Sequence, residues 1–514
     1  MKIIRHGGMM KIRKLAPPLR FKTMSELERY FDRFRKNTIG HNLIYRSPYG
    51  VVPMIYSDWI ASGRLYRPIE EKMQNEIGPW VANTHTEASE SGTLMTKAYQ
   101  FALQSIKKHV NAGPDDVIIT AGSGMTTVVN KLQRILGLRT CGKLAGHQCL
   151  DKAEKPVVFI THMEHHSNHM SWYESNVDVV ILEPDEDLLF SMDNLRLKLE
   201  EYKERSLKIG AFTACSNVTG IETPYHQMAS MMHEYGGICF IDFAASAPYI
   251  DINMHPANPM EKLDGIYFSP HKFLGGPGSS GVLIFDASLY KSETPDNPGG
   301  GTVDWTNPWG EYKYIDDIEL REDGGTPGFL QAMRTALALE LKHQMGTEKM
   351  RARENELLEK IFPELEKIPD LSILAENVKN RLGIISFYIK GIHFNLVVSL
   401  LSDRFGIQVR GGCACAGTYG HYLLKVSYWD SHRITTLINF GDLSLKPGWI
   451  RLSLHPTMTD EELYAITEAI REIQLHHQEW EKDYVYNNRT NEFRHISEPE
   501  DKTDVIRPWF SLAD

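Results

Sequence analysis

A single lysine between two apolar runs is the residue whose setting most asks for a chemical explanation. Gly265-Ile-Tyr-Phe268 reads as a buried strand and ends in Ser269-Pro270-His271-Lys272. A glycine-rich turn, Gly275-Gly-Pro-Gly278, and a second apolar run, Gly281-Val-Leu-Ile-Phe285, follow. A lysine held there is poorly placed to serve solubility. Its chemical use is a Schiff base with a carbonyl, as pyridoxal phosphate enzymes form; the plainer alternative is an exposed lysine beside a tight turn. Such a cofactor also needs an anion to keep its pyridine nitrogen protonated, a flat group against the ring and a cradle for the phosphate. Asp242 ends the apolar run Ile238-Cys-Phe-Ile241 and could be that anion, or could cap the segment after it. Gly122-Ser-Gly-Met-Thr126 lies between a β-branched run and a helical stretch, where free N–H groups and the helix dipole bind phosphate, although any tight turn of this kind has the same look. Glu164-His-His-Ser-Asn168 follows another apolar run; its histidines could equally be metal ligands, but no third and fourth ligand stands at zinc-type spacing. Val409-Arg-Gly-Gly-Cys413-Ala-Cys415-Ala-Gly417 carries two thiols on a glycine loop, with Arg410 favouring the thiolate. Metal clip, redox pair, nucleophile and inert loop all remain open for that loop.

The elements that must position these residues show in the hydrophobic pattern. From Val117 to Phe285 short β-branched runs (Val117–Thr120, Val157–Ile160, Val179–Leu182, Ile209–Ala214, Ile238–Asp242, Gly265–Phe268) alternate with helical stretches (Thr126–Leu136, Ser167–Ser175, Met192–Arg205, Tyr225–Tyr235). This predicts an α/β chain with a doubly wound, mostly parallel sheet. Ligands of such sheets bind at the carboxyl ends of the strands, where the polar and glycine residues collect here. A further region reads strand (Ile384–Ile389), helix (Phe394–Phe405), strand (Gln408–Arg410), cysteine loop, strand (Ile450–Leu454), helix (Asp460–His476). An N-terminal helix is expected over Ser25–Lys36, an irregular polar insertion over 140–156, and a charged, aromatic tail from Glu479.

The chain has 514 residues, 42% hydrophobic and 24% charged, which fits two or three soluble domains. A net charge of -10 argues against a nucleic-acid-binding surface, and no run of 18 apolar residues suggests a membrane span. The basic start has no apolar stretch behind it, so no secretory signal is expected; Met9 or Met10 could equally serve as the first residue. Six cysteines are too few for a disulfide framework, so reduced thiols and a cytoplasmic setting are expected.

Taken together, these residues resemble the class V aminotransferase branch of the fold-type I pyridoxal phosphate enzymes. Within it they are most similar to the cysteine desulfurases and selenocysteine lyases, from about Tyr56 to Leu475. The resemblance implies an N-terminal arm (1–55), a large cofactor-binding domain (56–335), a smaller α+β C-terminal domain (336–478) and a tail (479–514). It implies that Lys272 holds pyridoxal phosphate and shuttles the substrate Cα proton, that Asp242 pairs with the pyridinium nitrogen, that His165 stacks on the ring and that Asn217 lies beside the ring hydroxyl. Ser123, Gly124, Met125, Ser269 and His271 would cradle the phosphate, and Thr302 of Gly300-Gly-Thr302 would reach it from the partner subunit of a homodimer with shared sites. His85, Arg410 and Arg451 would lie near the amino-acid substrate, and Cys415 would be the nucleophile that carries sulfur as a persulfide. The implied reaction removes sulfur or selenium from L-cysteine or selenocysteine, gives L-alanine and hands sulfur to an acceptor protein. The alternative is another class V reaction, such as transamination, epimerisation or side-chain cleavage of a different amino acid, with structural cysteines. The chain departs from the family at Ala245, where many desulfurases carry Gln, and in its Gly-Gly-Cys-Ala-Cys loop. It also places 35 residues between Cys415 and Arg451, a length that could form a cover over the site.

Overall fold

The computed structural model describes residues 24–139, 154–499 and 501–512, so the start of the chain and most of the expected polar insertion lie outside the described residues. Seven strands form one sheet, in the order Asp116–Ala121, Gly281–Asp286, Gly265–Phe268, Ile238–Asp242, Lys208–Thr213, Val157–Thr161, Asp178–Leu182. Only Gly281–Asp286 runs antiparallel to its neighbours; the remaining pairs are parallel. The expected doubly wound, mostly parallel sheet is therefore present. Its central strands are buried on both faces, which is why they read as unbroken apolar runs and not as alternations. Helices Met125–Ile135, His166–Tyr173, Met192–Glu201 and Tyr225–Glu234 connect successive strands, while Ile238–Asp242 reaches Gly265–Phe268 through a loop with one 3₁₀ turn, Pro259–Glu261.

A smaller peripheral unit carries a four-stranded sheet in the order Leu371–Ile373, Ile384–Ile389, Trp449–Ser453, Arg410–Gly412. Helices Thr347–Glu366, Phe394–Phe405 and Asp460–Trp480 cover it. The last begins with a capping box, in which Thr459 and Glu462 satisfy each other's backbone N–H groups. The N-terminal helix, Glu26–Asn37, buries Phe31 and Phe34 in the same apolar cluster as Leu357, Ile361 and Ile466. The expected tail is ordered structure: Tyr484–Asn487 and Glu492–His495 form a hairpin on helix Phe394–Phe405, with Ser399 Oγ donating to the Phe493 carbonyl at 3.2 Å.

Two bridges tie the peripheral unit to the large sheet's loops. Ile55–Tyr56 pairs in parallel with Ile407–Gln408. The following loop meets the lysine segment at Gly63, whose N–H donates to the His271 carbonyl at 2.9 Å. A Cβ at Gly63 would lie 1.9 Å from the Phe273 carbonyl oxygen, so the backbone contact requires glycine. No helix among the described residues is long and apolar enough to cross a membrane.

Candidate active site

The carboxyl ends of five strands open into one cavity of about 490 Å³, closed on its far side by the peripheral unit. The strand Ile238–Asp242 delivers Asp242, which is 3% exposed and accepts the Ala244 N–H at 2.8 Å. Burial raises the Asp242 carboxyl to about 6, against the pull of that N–H and of Lys272. Lys272 lines the cavity from a single 3₁₀ turn, Pro270–Lys272, after the neighbouring strand. Burial lowers its amine to about 8; Asp242 opposes the shift, and Arg451 and Arg410 add to it.

The strand Asp116–Ala121 leads through Gly122, at φ 57°, into helix Met125–Ile135. That helix follows Gly124, which offers no side-chain cap, and its first turn lines the cavity with Ser123, Met125, Thr126 and Thr127. Ser269 and His271 complete the rim, and Ser269 Oγ accepts the Met125 N–H at 2.9 Å. An uncapped helix start with a serine hydroxyl beside it suits an anion. His165 is the N-cap of helix His166–Tyr173 and accepts the Ser167 N–H through Nδ1 at 3.1 Å. Burial, and then Lys272, lower its ring to about 3, so it is an uncharged plate against the cavity at neutral pH. Asn217 donates through Nδ2 to the Ala414 carbonyl at 2.7 Å, while its buried Oδ1 has no partner.

The cysteine loop closes the cavity. Cys415 lines it and is exposed, whereas Cys413 packs against the small apolar cluster of Met163, Val218, Tyr419 and Trp449. Ala414 and Cys415 both adopt left-handed backbone, at φ 51° and 56°, which costs non-glycine residues energy and needs external support. His166 gives it: its N–H donates to the Cys415 carbonyl at 2.8 Å, and its Nε2 accepts the Gly417 N–H at 2.9 Å. Arg451, on the strand Trp449–Ser453, reaches the same cavity, with Nη1 donating to the Asn217 carbonyl at 3.2 Å and Nη2 to Asp58 at 3.1 Å. Arg410 binds the other Asp58 oxygen through Nε at 3.2 Å.

Twelve of the residues singled out in the sequence thus share one cavity: Lys272, Asp242, His165, Asn217, Ser123, Gly124, Met125, Ser269, His271, Arg410, Arg451 and Cys415. His85 and Thr302 do not reach it. They lie together elsewhere, with the His85 ring against Gly301, and Thr302 Oγ1 turns inward to the Gly299 carbonyl at 2.6 Å. None of residues 416–450 lines the cavity; helices Gly417–Leu423 and Tyr428–Asn439 pack outside the cysteine loop and leave Trp429 and Phe440 exposed. Among the described residues no cluster of three or more His, Cys, Asp or Glu side chains could hold a metal ion.

Sequence reasoning missed Asp58, Glu164 and His166 as working parts of the site. Glu164 is buried behind Asp242 and accepts from Thr161 Oγ1 and the Thr213 N–H through Oε1, and from Asn168 Nδ2 through Oε2, each at 2.8 Å. Burial pushes its carboxyl up to about 8, while those donors favour the charged form. Glu164 and His166 stand in a stretch already marked by its polarity, but Asp58 had no local signal, since its partners lie 352 and 393 residues away.

A lysine and a buried carboxylate at adjacent strand ends, a helix start beside them and a neutral ring lining the same cavity are the parts that a pyridoxal phosphate site requires. The Asn217 Oδ1 adds a buried polar atom without a hydrogen-bond partner on a residue that lines the cavity. The overall fold agrees. The chain aligns with the apo cysteine desulfurase of Thermococcus onnurineus NA1 at a TM-score of 0.68 and 21% identity, covering 86% of this chain and 98% of that one. It aligns with an S-sulfonic acid form of a cysteine desulfurase from Escherichia coli at 0.63 and 20%, covering 82% and 94%. The family profile described as Aminotransferase class-V matches residues 55–466, and the chain belongs to that family. Among curated relatives, a probable cysteine desulfurase of Halalkalibacterium halodurans is 26% identical over 373 residues, 71% of this chain and 84% of the relative. One from Pyrococcus abyssi is 26% identical over 367 residues, 71% and 85%. Membership of this family implies pyridoxal phosphate as the cofactor.

Proposed function

We propose that this protein is a cysteine desulfurase or selenocysteine lyase, taking sulfur or selenium from L-cysteine or L-selenocysteine and releasing L-alanine. The observation that carries the reading is that Cys415, and not Cys413, lines the cavity that Lys272, Asp242 and Arg451 share. In this reading the cavity lies between a large domain, 56–335, and a small one, 336–478. Pyridoxal phosphate supplies an electron sink for the pair released when a bond at the substrate Cα breaks. Asp242 would hold a proton on the ring nitrogen, His165 would cover the ring face, and the N-terminus of helix Met125–Ile135 with Ser269 and His271 would take the phosphate. Arg451 receives the substrate carboxylate through its planar guanidinium. Lys272, with its amine lowered to about 8, carries a useful free-base fraction near neutral pH and moves the Cα proton. Cys415 attacks the substrate sulfur as a thiolate; the new S–S bond forms as the Cβ–S bond breaks, and the carbon end takes up a proton to become alanine. The persulfide sulfur then passes to an acceptor protein in the cytoplasm.

The position of His85 and Thr302 supports a homodimer. Both stand away from this chain's own cavity and beside one another, as residues serving a partner's site would. The proposal is tested by incubating the pyridoxal-phosphate-loaded protein with L-cysteine and a reductant and measuring alanine. The native protein is expected to release alanine catalytically, and Lys272→Ala to lose at least a thousandfold of that rate. A native protein that binds the cofactor yet leaves L-cysteine untouched, while acting on another amino acid, would move the assignment to a different class V reaction.

A further inference from the structure

The carboxylate end of the cavity has an unusual charge arrangement. Arg410 and Arg451 are direct partners across the antiparallel pair Arg410–Gly412 and Trp449–Ser453. Like charges opposite one another destabilise a sheet, so this register needs an anion to hold it. Asp58 is that anion, with one carboxylate oxygen on Arg451 Nη2 at 3.1 Å and the other on Arg410 Nε at 3.2 Å. The segment bearing it is fixed to the same sheet: the Ser453 N–H donates to the Ser57 carbonyl, the Ile60 N–H to Ser453 Oγ, and the Trp59 ring stacks on His455 at 3.9 Å. The Asp58 carboxylate therefore stays in place when a ligand enters. Two cations and one anion leave one positive charge in excess at this end. Arg451 is 5% exposed and keeps Nε without a partner, whereas Arg410 is 53% exposed at the mouth.

We propose that Asp58 is a specificity-determining residue: by holding both arginines it leaves charge for one carboxylate only, and so selects amino acids with an uncharged side chain over those with a second anion. This rests on the reading that Arg451 receives the substrate carboxylate. One carboxylate against the Arg451 guanidinium, which lines the cavity, neutralises the excess charge. A second anion, on the side chain, would have to approach Arg410 past the Asp58 oxygen already bound to it, and the Asp58 side chain is only 14% exposed, so salt screens its repulsion poorly. Without the Asp58 charge, two facing guanidinium groups would match a dicarboxylate.

The test is equilibrium binding, read from the visible absorption of the pyridoxal-phosphate-loaded protein as L-alanine or L-aspartate is added. Native protein is expected to bind L-alanine at least tenfold more tightly than L-aspartate. Asp58→Asn is expected to shift that ratio at least tenfold toward L-aspartate, and Asp58→Glu, which keeps the charge, to retain the native preference. A ratio unchanged in Asp58→Asn, even with both affinities weakened equally, makes Asp58 a mere support for Arg451 and overturns the proposal while leaving the amino-acid reading intact. If native protein binds neither ligand, the role of Arg451 and the proposal fail together.

Discussion

Replacing His166 with alanine tests how the Cys415 loop is held. The ring makes one bond in the fold, accepting the Gly417 N–H at 2.9 Å, while the His166 backbone N–H to the Cys415 carbonyl survives the change. Ala414 and Cys415, at φ 51° and 56°, each carry a left-handed cost of about 1–2 kcal/mol, so the loop depends on its few ties. Those are the two His166 bonds and the Asn217 bond to the Ala414 carbonyl. Losing one neutral hydrogen bond removes about 1 kcal/mol, which lowers the closed-loop population relative to open forms about fivefold. Hydrogen–deuterium exchange of a peptide spanning Cys413 to Tyr419 should speed up by about that factor in His166→Ala, with peptides from the core strand Val157–Thr161 unchanged. His166→Gln, whose amide oxygen can accept the same N–H, should restore most of the protection. The bond also sets a pH dependence, because only an unprotonated Nε2 accepts. Burial, and then Lys446, lower the His166 pKa in the folded protein. An opened loop returns the ring toward its ordinary pKa of about 6.5. The closed form then binds fewer protons than the open one, so its stabilisation is full above about pH 6.5 and declines as pH falls below that value. After correction for intrinsic exchange rates, native exchange in this peptide should rise below about pH 6.5 and that of His166→Ala should not. Equal exchange in native and variant at neutral pH would refute the latch.

Two further substitutions probe the buried supports. Glu164 accepts from four donors, of which Asn168 Nδ2 is fixed because Asn168 Oδ1 accepts from Tyr267 and Trp172. In a denaturant melt above about pH 8, where the native carboxyl is charged, Glu164→Gln should turn an amide donor against one of them and cost roughly 1–3 kcal/mol; a variant as stable as native at that pH would contradict the four-donor arrangement. Gly63→Ala would place its Cβ 1.9 Å from the Phe273 carbonyl and displace the lysine segment. The expected result is a loss of roughly 1–3 kcal/mol or more with weakened pyridoxal phosphate retention, and unchanged retention would contradict the contact.

Much of this architecture is written locally. The runs Ile238–Asp242, Gly265–Phe268 and Ile384–Ile389 and the helix Phe394–Phe405 begin and end where their apolar patterns do, because burial of a strand or helix face constrains every residue in it. The phosphate-type turn at Gly122–Thr126 is equally local, since glycine and an uncapped helix start leave a short-range mark. What the sequence hid depends on distant chain segments meeting. Asp58 becomes a site residue only when the strand bearing Arg451 folds beside it. The choice between Cys413 and Cys415 turns on two left-handed residues that no composition reveals, and on a histidine some 250 residues upstream of the glycine it holds. The terminal hairpin was unreadable for another reason: Tyr484–Asn487 and Glu492–His495 have four residues each, and their connection contains no glycine, with Asn491 at φ 61° taking the position glycine usually fills.

The most direct test of the central claim is to measure alanine and sulfide released from L-cysteine with reductant by the loaded native protein, Cys415→Ala and Cys413→Ala. The account predicts turnover by the native protein and by Cys413→Ala, and its loss in Cys415→Ala, because of the two cysteines of the loop only Cys415 lines the cavity. Undiminished turnover by Cys415→Ala would contradict it.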